Sequence, residues 1–358
     1  MSGIQISIDR GGTFTDVFAS IPGKDDIILK VLSVDPANYS DAPTEGVRRV
    51  LEIATGKSHP RGRPLNTAPI KRIRMGTTVG TNALLERKGA RSALLVTRGF
   101  KDLLRINNQS RPNIFDLTVS TPELLYQEVI EVDERVTLMG YSENPYPEDI
   151  DVASDPALHL GLTGEIVRVI RKPDLAAVRN SLQKLWDDGC RSLSIVFLHS
   201  YLYPNHEQQI GALAREMGFS AVESSALQPM IKVVPRGTSA TADAYLTPII
   251  KSYVDSISAN FEGGLAAEGL RCDFMQSNGG LVDFHSFSGL KSILSGPAGG
   301  VVGYAQTSWD DDLKKAVIGF DMGGTSTDCS RYAGTYEHVF ETMTAGVSIQ
   351  SPQLDIIT

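Results

Sequence analysis

Asp9-Arg-Gly-Gly-Thr-Phe-Thr-Asp16 returns late in the chain as Asp321-Met-Gly-Gly-Thr-Ser-Thr-Asp328. Asp, both Gly, both Thr and the closing Asp are common to the two copies. Each copy follows a short β-branched run, residues 4–8 and 317–320, and so reads as a strand feeding a tight glycine turn. Paired glycines let an anion approach the backbone, where amides and threonine hydroxyls donate to phosphate oxygens. An aspartate at the strand end sits too close to such a phosphate to touch it and suits a hydrated Mg²⁺ instead. One loop of this kind says little. Two predict a pair of related halves facing one nucleotide; the competing reading is two unrelated glycine hairpins.

Composition narrows the class. The chain has 358 residues, enough for two domains, and its 41% hydrophobic and 21% charged content is that of a soluble globular protein. A formal charge of −8 argues against nucleic acid or an anionic membrane as the partner. No apolar run approaches the ~20 residues that span a bilayer. Met1-Ser-Gly-Ile-Gln5 passes straight into the first strand without the pattern of a signal peptide, so a cytoplasmic location is expected. Cys190, Cys272 and Cys329 are widely spaced and read as small buried hydrophobes of a reducing compartment. Neither a Walker A loop nor a strand followed by G-x-G-x-x-G occurs, which removes the P-loop and Rossmann readings.

Outward from the first repeat, residues 4–8, 17–20 and 27–32 predict a strand meander. A helix follows over 43–54, with Val47, Val50, Leu51 and Ala54 on one face. Residues 73–75 form a buried strand delivering Gly76-Thr-Thr78, then a helix to about Arg87, then a strand over 92–97. Residues 107–164 carry five scattered prolines and read as an inserted, partly β subdomain, with disorder expected at 144–159. Helices over 174–188 and 205–217 flank a strand at 192–198. A helix over 239–259 contains Pro248, which should kink or split it. Residues 272–276 and 281–284 predict a hairpin around Ser277-Asn-Gly-Gly280.

The paired loops resemble those of the actin-like ATPase superfamily, which implies an α/β, ribonuclease H-like fold with a phosphate hairpin from each of two domains. Ser295-Gly-Pro-Ala-Gly-Gly-Val-Val-Gly-Tyr-Ala305 stands where that superfamily has a helix of small residues forming the interdomain hinge, and Pro297 suits its first turn. Finer motifs are similar to the hydantoinase/oxoprolinase family. They are Ile8–Asp16 with its glycines, Met75-Gly-Thr-Thr-Val-Gly-Thr-Asn-Ala83, Thr97-Arg-Gly-Phe-Lys-Asp102 and Arg111-Pro-Asn-Ile-Phe-Asp116. Phe197-Leu-His-Ser-Tyr201, Pro204-Asn-His-Glu207, Ser277–Gly280, Ser295–Gly299 and Gly319–Asp328 continue the match, in order and from end to end. Leu32-Ser-Val-Asp-Pro36, Asp41–Gly46, Val339-Phe-Glu-Thr342 and Ser351-Pro-Gln-Leu-Asp355 are most similar to fungal, lactam-hydrolysing members.

The resemblance implies an N-terminal family region over 1–212 and an ATPase domain starting at 213. Little chain follows Asp321, so the first domain is expected nearly complete, the second truncated, and the chain a fragment of doubtful activity alone. The implied reaction is ATP-dependent hydrolysis of 5-oxo-L-proline to L-glutamate through phosphorylation of the lactam carbonyl oxygen. Hydantoin hydrolysis, ketone carboxylation or an inactive actin-like nucleotide-binding fragment are the alternatives. A lactam is unreactive because amide resonance suppresses attack at its carbonyl, and phosphoryl transfer asks a protein for positioning and charge neutralisation above all.

ATP and Mg²⁺ are the implied cofactors, a small lactam the partner, and a homodimer the assembly. Gly11, Gly12, Thr13 and Thr15 are assigned to one side of the phosphates, and Gly323, Gly324, Thr325 and Thr327 to the other. Asp9 and Asp321 would order Mg²⁺ through water, Asp321 also orienting the incoming oxygen. Asp16 and Asp328 would hold the hairpins by accepting turn amides. Arg10 reads either as a phosphate ligand or as an exposed strand-end residue. Thr77, Thr78, Thr81 and Asn82 read either as an anion-facing helix start or as plain capping. Arg111 reads as a carboxylate clamp or a solvated loop arginine. His199 and His206 lack metal-ligand spacing on one helix, and Asn278 reads as a turn residue.

Overall fold

The computed structural model describes residues 3–107, 115, 123–140, 143–145, 150–324 and 326–358. It divides into two compact units, one formed by Met1–Gly89, Ile249–Glu341 and Ser351–Thr358, the other by Ala90–Pro248 and Thr342–Gln350.

The first unit is built on a six-stranded sheet. Strand Ile4–Arg10 pairs antiparallel with Phe14–Ser20, which pairs antiparallel with Ile27–Leu32, confirming the meander. On its other side Ile4–Arg10 runs parallel to Ile70–Thr77, which runs parallel to Arg271–Met275, and Leu281–Asp283 closes the edge antiparallel. Strict alternation explains the two faces. Ile4, Ile6, Ile8, Val17 and Ala19 point into one core with Ile73, Met75, Cys272 and Phe274. Helix Ala42–Thr55 covers that face with Val47, Val50 and Leu51. It is capped by Asp41, whose carboxylate accepts from the Thr44 amide at 2.8 Å, and ends at Gly56 in the left-handed region. Gly46 allows the helix to touch Val17: a methyl there would lie 2.6 Å from the valine side chain.

The opposite face carries Ser7, Asp9, Asp16 and Phe18. Helix Ser295–Ser308 packs there and feeds a second hairpin, Val317–Met322 with Thr327–Tyr332. The helix and hairpin are keyed by Tyr304, whose ring lies flat on Gly319 and whose hydroxyl meets the Ser330 hydroxyl at 2.9 Å. The short strand Ile356–Ile357 adds to this hairpin, so it stands in a three-stranded sheet.

In the second unit, Ser220–Glu223, Ser192–Val196, Ser92–Thr97 and Glu128–Val132 form an all-parallel sheet in that order. Ser92–Thr97 and Ser192–Val196 are buried at every position, as a sheet covered on both faces requires. Helices Leu175–Asp187 and Asn205–Glu216 cover one face, and Ala240 and Ala244 of helix Val233–Ser258 lie against the other. A separate antiparallel sheet joins Arg135–Gly140, Ile166–Arg171 and Leu158–Leu160.

Two buried carboxylates fasten this unit. Glu207 accepts from the Phe197 and Ser225 amides and from the Ser224 and Ser225 hydroxyls at 2.7–2.9 Å. Glu134 takes the Thr97 hydroxyl and His206 Nδ1, so His206 serves a buried pair and has no part with His199.

Two expectations are corrected. Pro248 does not split the helix in two: Val233–Ser258 is one element, with Leu246 and Ile250 fully buried on either side of the proline. Residues 150–159, inside the stretch read as disordered, include a helical turn and the paired strand Leu158–Leu160.

Candidate phosphate-binding site

The two repeats fold alike. Asp9 pairs with Asp16 across the first hairpin and Asp321 with Asp328 across the second. Each turn is closed by the same bond, Gly11 N–H to the Phe14 carbonyl and Gly323 N–H to the Ser326 carbonyl, both 3.0 Å. The loops also meet. A methyl on Gly324 would lie 2.5 Å from the Thr13 hydroxyl, and the Asp321 charge acts on Asp9. Gly12, Thr13, Gly323 and Gly324 are exposed between them.

Asp9 stands at the carboxyl end of the first parallel strand, the end at which open α/β sheets bind ligands. Its carboxylate rests against Gly76 and Gly296, where a methyl would come within 3.0 and 3.6 Å of Oδ1. The helix start is pulled into place by Ser295, whose hydroxyl donates to the Met275 carbonyl at 2.7 Å and accepts from the Thr77 amide at 3.2 Å. Burial among these elements, reinforced by Asp16 and Asp321 and opposed by Lys30, raises the Asp9 pKa from 3.8 to about 6, although the carboxylate opens on a solvent-accessible cavity. Neither Asp9 nor Asp321 has a hydrogen-bond donor or salt-bridge partner among the described residues. The two unpaired carboxylates are near enough for the charge of Asp321 to act on Asp9.

Other assigned residues fall elsewhere. Thr15 is fully buried. Its hydroxyl meets the Ser33 hydroxyl at 2.9 Å, while Ser33 also donates from Oγ to the Gly11 carbonyl at 2.7 Å and from its amide to the Thr13 carbonyl at 2.9 Å. Thr15 therefore supports the loop from beneath and does not face a ligand. Ser33 turns the loop carbonyls inward, a role the repeat alone does not reveal because the second copy has no counterpart. Thr327 is exposed, and Thr325 lies outside the described residues, as does Arg111.

Asp16 and Asp328 do not cap turn amides as expected. Asp16 pairs with Lys30 at 2.8 Å, its cross-strand neighbour, and Asp328 accepts from the Ser326 and Thr358 hydroxyls. Burial, together with Asp321, raises the Asp328 pKa against those two bonds. The Arg10 guanidinium lies over the Tyr253 ring, 5.6 Å from its centroid. Thr77 is fully buried with its hydroxyl on the Val79 amide, and Thr81 donates to the Ile293 carbonyl, so both hold the helix start. Thr78 and Asn82 are half-buried, 3.4 Å apart, and Thr78 bonds the Arg10 carbonyl. Asn278 is a turn residue, accepting from the Gly280 amide at 2.9 Å.

Beside Asp9 a cavity of about 560 Å³ opens between the sheet and helix Ser295–Ser308. Among the described residues no helix is long and apolar enough to cross a membrane.

Comparison with known proteins identifies the family and the fold. Residues 5–218 match the model of the hydantoinase/oxoprolinase N-terminal region, and residues 236–358 the hydantoinase/oxoprolinase model. The chain is 54% identical to 5-oxoprolinase of Saccharomyces cerevisiae and 56% identical to 5-oxoprolinase 1 of Arabidopsis thaliana, over 99% of its own length. It spans only 28% and 27% of those two relatives. Its fold is shared with the ATP-dependent caprolactamase of Pseudomonas jessenii, at a TM-score of 0.70 and 23% identity, over 99% of this chain and 47% of that one. Nucleotide-free acetone carboxylase aligns at 0.70 and 19% identity, over 100% and 48%. With two family models covering nearly its whole length, the chain belongs to the hydantoinase/oxoprolinase family.

Proposed function

We propose that this chain is the phosphate-handling part of an ATP-dependent 5-oxoprolinase, which opens 5-oxo-L-proline to L-glutamate. The observation that carries the reading is the meeting of the two repeated loops, Thr13 against Gly324, with the unpaired carboxylates of Asp9 and Asp321 on the same space. The identity to 5-oxoprolinases of yeast and plant supports the choice of lactam.

The residues fit a magnesium nucleotide. Gly12, Thr13, Gly323 and Gly324 present exposed backbone to its phosphates, and the Thr13 and Thr327 hydroxyls add donors. Asp9 and Asp321 would hold the cation through water, since no three His, Cys, Asp or Glu side chains converge among the described residues. Bound there, MgATP supplies a phosphoryl group that makes the lactam oxygen a leaving group. The chain's own work is positional: Ser33 and Thr15 fix the first loop, Ser295 fixes the helix that flanks Asp9, and the aspartates localise positive charge.

Incubation of a full-length 5-oxoprolinase containing this chain with Mg²⁺, ATP and 5-oxo-L-proline should yield ADP, phosphate and L-glutamate in equal amounts. Faster phosphate release with hydantoin, or with a ketone and bicarbonate, would overturn the substrate assignment.

A further inference from the structure

Arg74 is a charged group in the cavity beside Asp9 that the phosphate-binding reading leaves without a task. It lines the cavity in strand Ile70–Thr77, two residues before Gly76 and therefore on the same sheet face. Its neighbours by register are Ser7 on one side and Asp273 on the other. Asp273 is already taken by Arg72 at 3.3 Å and Arg271 at 2.8 Å. The Arg74 guanidinium forms no ion pair or hydrogen bond among the described residues, and its Nε is shut off from solvent without an acceptor. A planar donor fork held partly buried without a carboxylate is costly, and a ligand carboxylate is the group that fits it bidentately.

The rest of the cavity defines what that carboxylate is attached to. Phe18, Ile28, Met275, Leu281 and Val302 make most of its wall apolar, which suits a small ring. Asp16 contributes negative charge but is neutralised by Lys30. Asp9 sits one step farther along the face, opposite Gly76, as Arg74 sits opposite Ser7. At about 4.8 Å between strands and about 3.3 Å per residue, the two stations lie roughly 8 Å apart. A ring with a carboxylate at one end and an amide carbonyl at the other spans from the guanidinium toward the phosphate loops.

We infer that Arg74 is the carboxylate anchor of the lactam site, and that the cavity between the sheet and helix Ser295–Ser308 selects cyclic amides bearing an α-carboxylate. The inference rests on the function proposed above, which assigns no residue to the lactam. A free arginine on the sheet predicts discrimination by charge, and it predicts that the discrimination disappears with the arginine.

The test is equilibrium binding, which needs no turnover. Calorimetry would compare 5-oxo-L-proline with 2-pyrrolidinone, the same ring without a carboxylate, on the protein and on Arg74→Met. The protein should bind 5-oxo-L-proline at least ~30-fold more tightly, as expected for a bidentate charge-assisted pair worth about 2 kcal/mol. Arg74→Met should lose that preference while its weaker affinity for 2-pyrrolidinone is retained. Should Arg74→Met fail to fold, Arg74→Lys keeps the charge without the fork and should lose about tenfold for 5-oxo-L-proline alone. Equal preference in the protein and its variants, or no binding of either ring, would overturn the assignment. Phosphate release on 5-oxo-L-proline that persists in such a case would leave the proposed function standing, whereas charge-selective binding without any phosphate release would remove the function and keep the anchor.

Discussion

At the scale of residues, Asp9 is a carboxylate kept where ionisation is unfavourable. Its pKa near 6 lies above the ordinary 3.8, through burial first and the charges of Asp16 and Asp321 second, with Lys30 in opposition. Between those values the folded protein holds a proton that the unfolded chain has released. Stability linked to protonated Asp9 is thus fully present below about pH 4 and lost as pH rises through about 6. Urea unfolding in EDTA should show the protein losing stability relative to Asp9→Asn across that window, with the variant the more stable at pH 7. Parallel pH curves for the two would refute the assignment of strain to Asp9. The repeat made Asp9 legible because strand, turn and closing aspartate all recur in sequence. Burial of Thr15 was not legible, since it depends on Ser33, a residue of the segment after the third strand that nothing in the octapeptide anticipates. Arg74 was equally hidden: only the register with Ser7 and Asp273, and the claims of two other arginines on Asp273, reveal that it lacks a partner.

Elements were easier to read than their junctions. The meander, the helix Ala42–Thr55 and both glycine hairpins follow from alternation, caps and glycine turns, and the helix buries Val47, Val50 and Leu51 as its pattern predicted. Pro248 misled because a missing amide weighs less than the burial of Leu246 and Ile250 around it. The junction between helix Ser295–Ser308 and the second hairpin rests on a contact no pattern announces, the Tyr304 ring on Gly319. Gly319→Ala should force the ring off the strand and cost roughly 1–3 kcal/mol by overpacking. Denaturant unfolding of Gly319→Ala, with and without Tyr304→Ala, measures it. The double variant should be affected less by the added methyl than the single one, and additive losses would show that the ring does not carry the junction.

For the whole molecule, the chain belongs to the hydantoinase/oxoprolinase family, and its repeat forms two hairpins of one construction that meet at Thr13 and Gly324. The chain covers under a third of its 5-oxoprolinase relatives, so chemistry performed by the rest of such a protein lies outside what these residues do. Under the proposed function, they would offer backbone and carboxylates to a magnesium nucleotide. The direct test is the rate of phosphate release from ATP, with Mg²⁺ and with or without 5-oxo-L-proline, in a full-length 5-oxoprolinase containing this chain and in its Asp9→Asn and Asp321→Asn variants. The account predicts stimulation by 5-oxo-L-proline and a loss of ~10²-fold or more in each variant, because each removes a charge that would order the cation. Near-normal, substrate-stimulated turnover in both variants would contradict it.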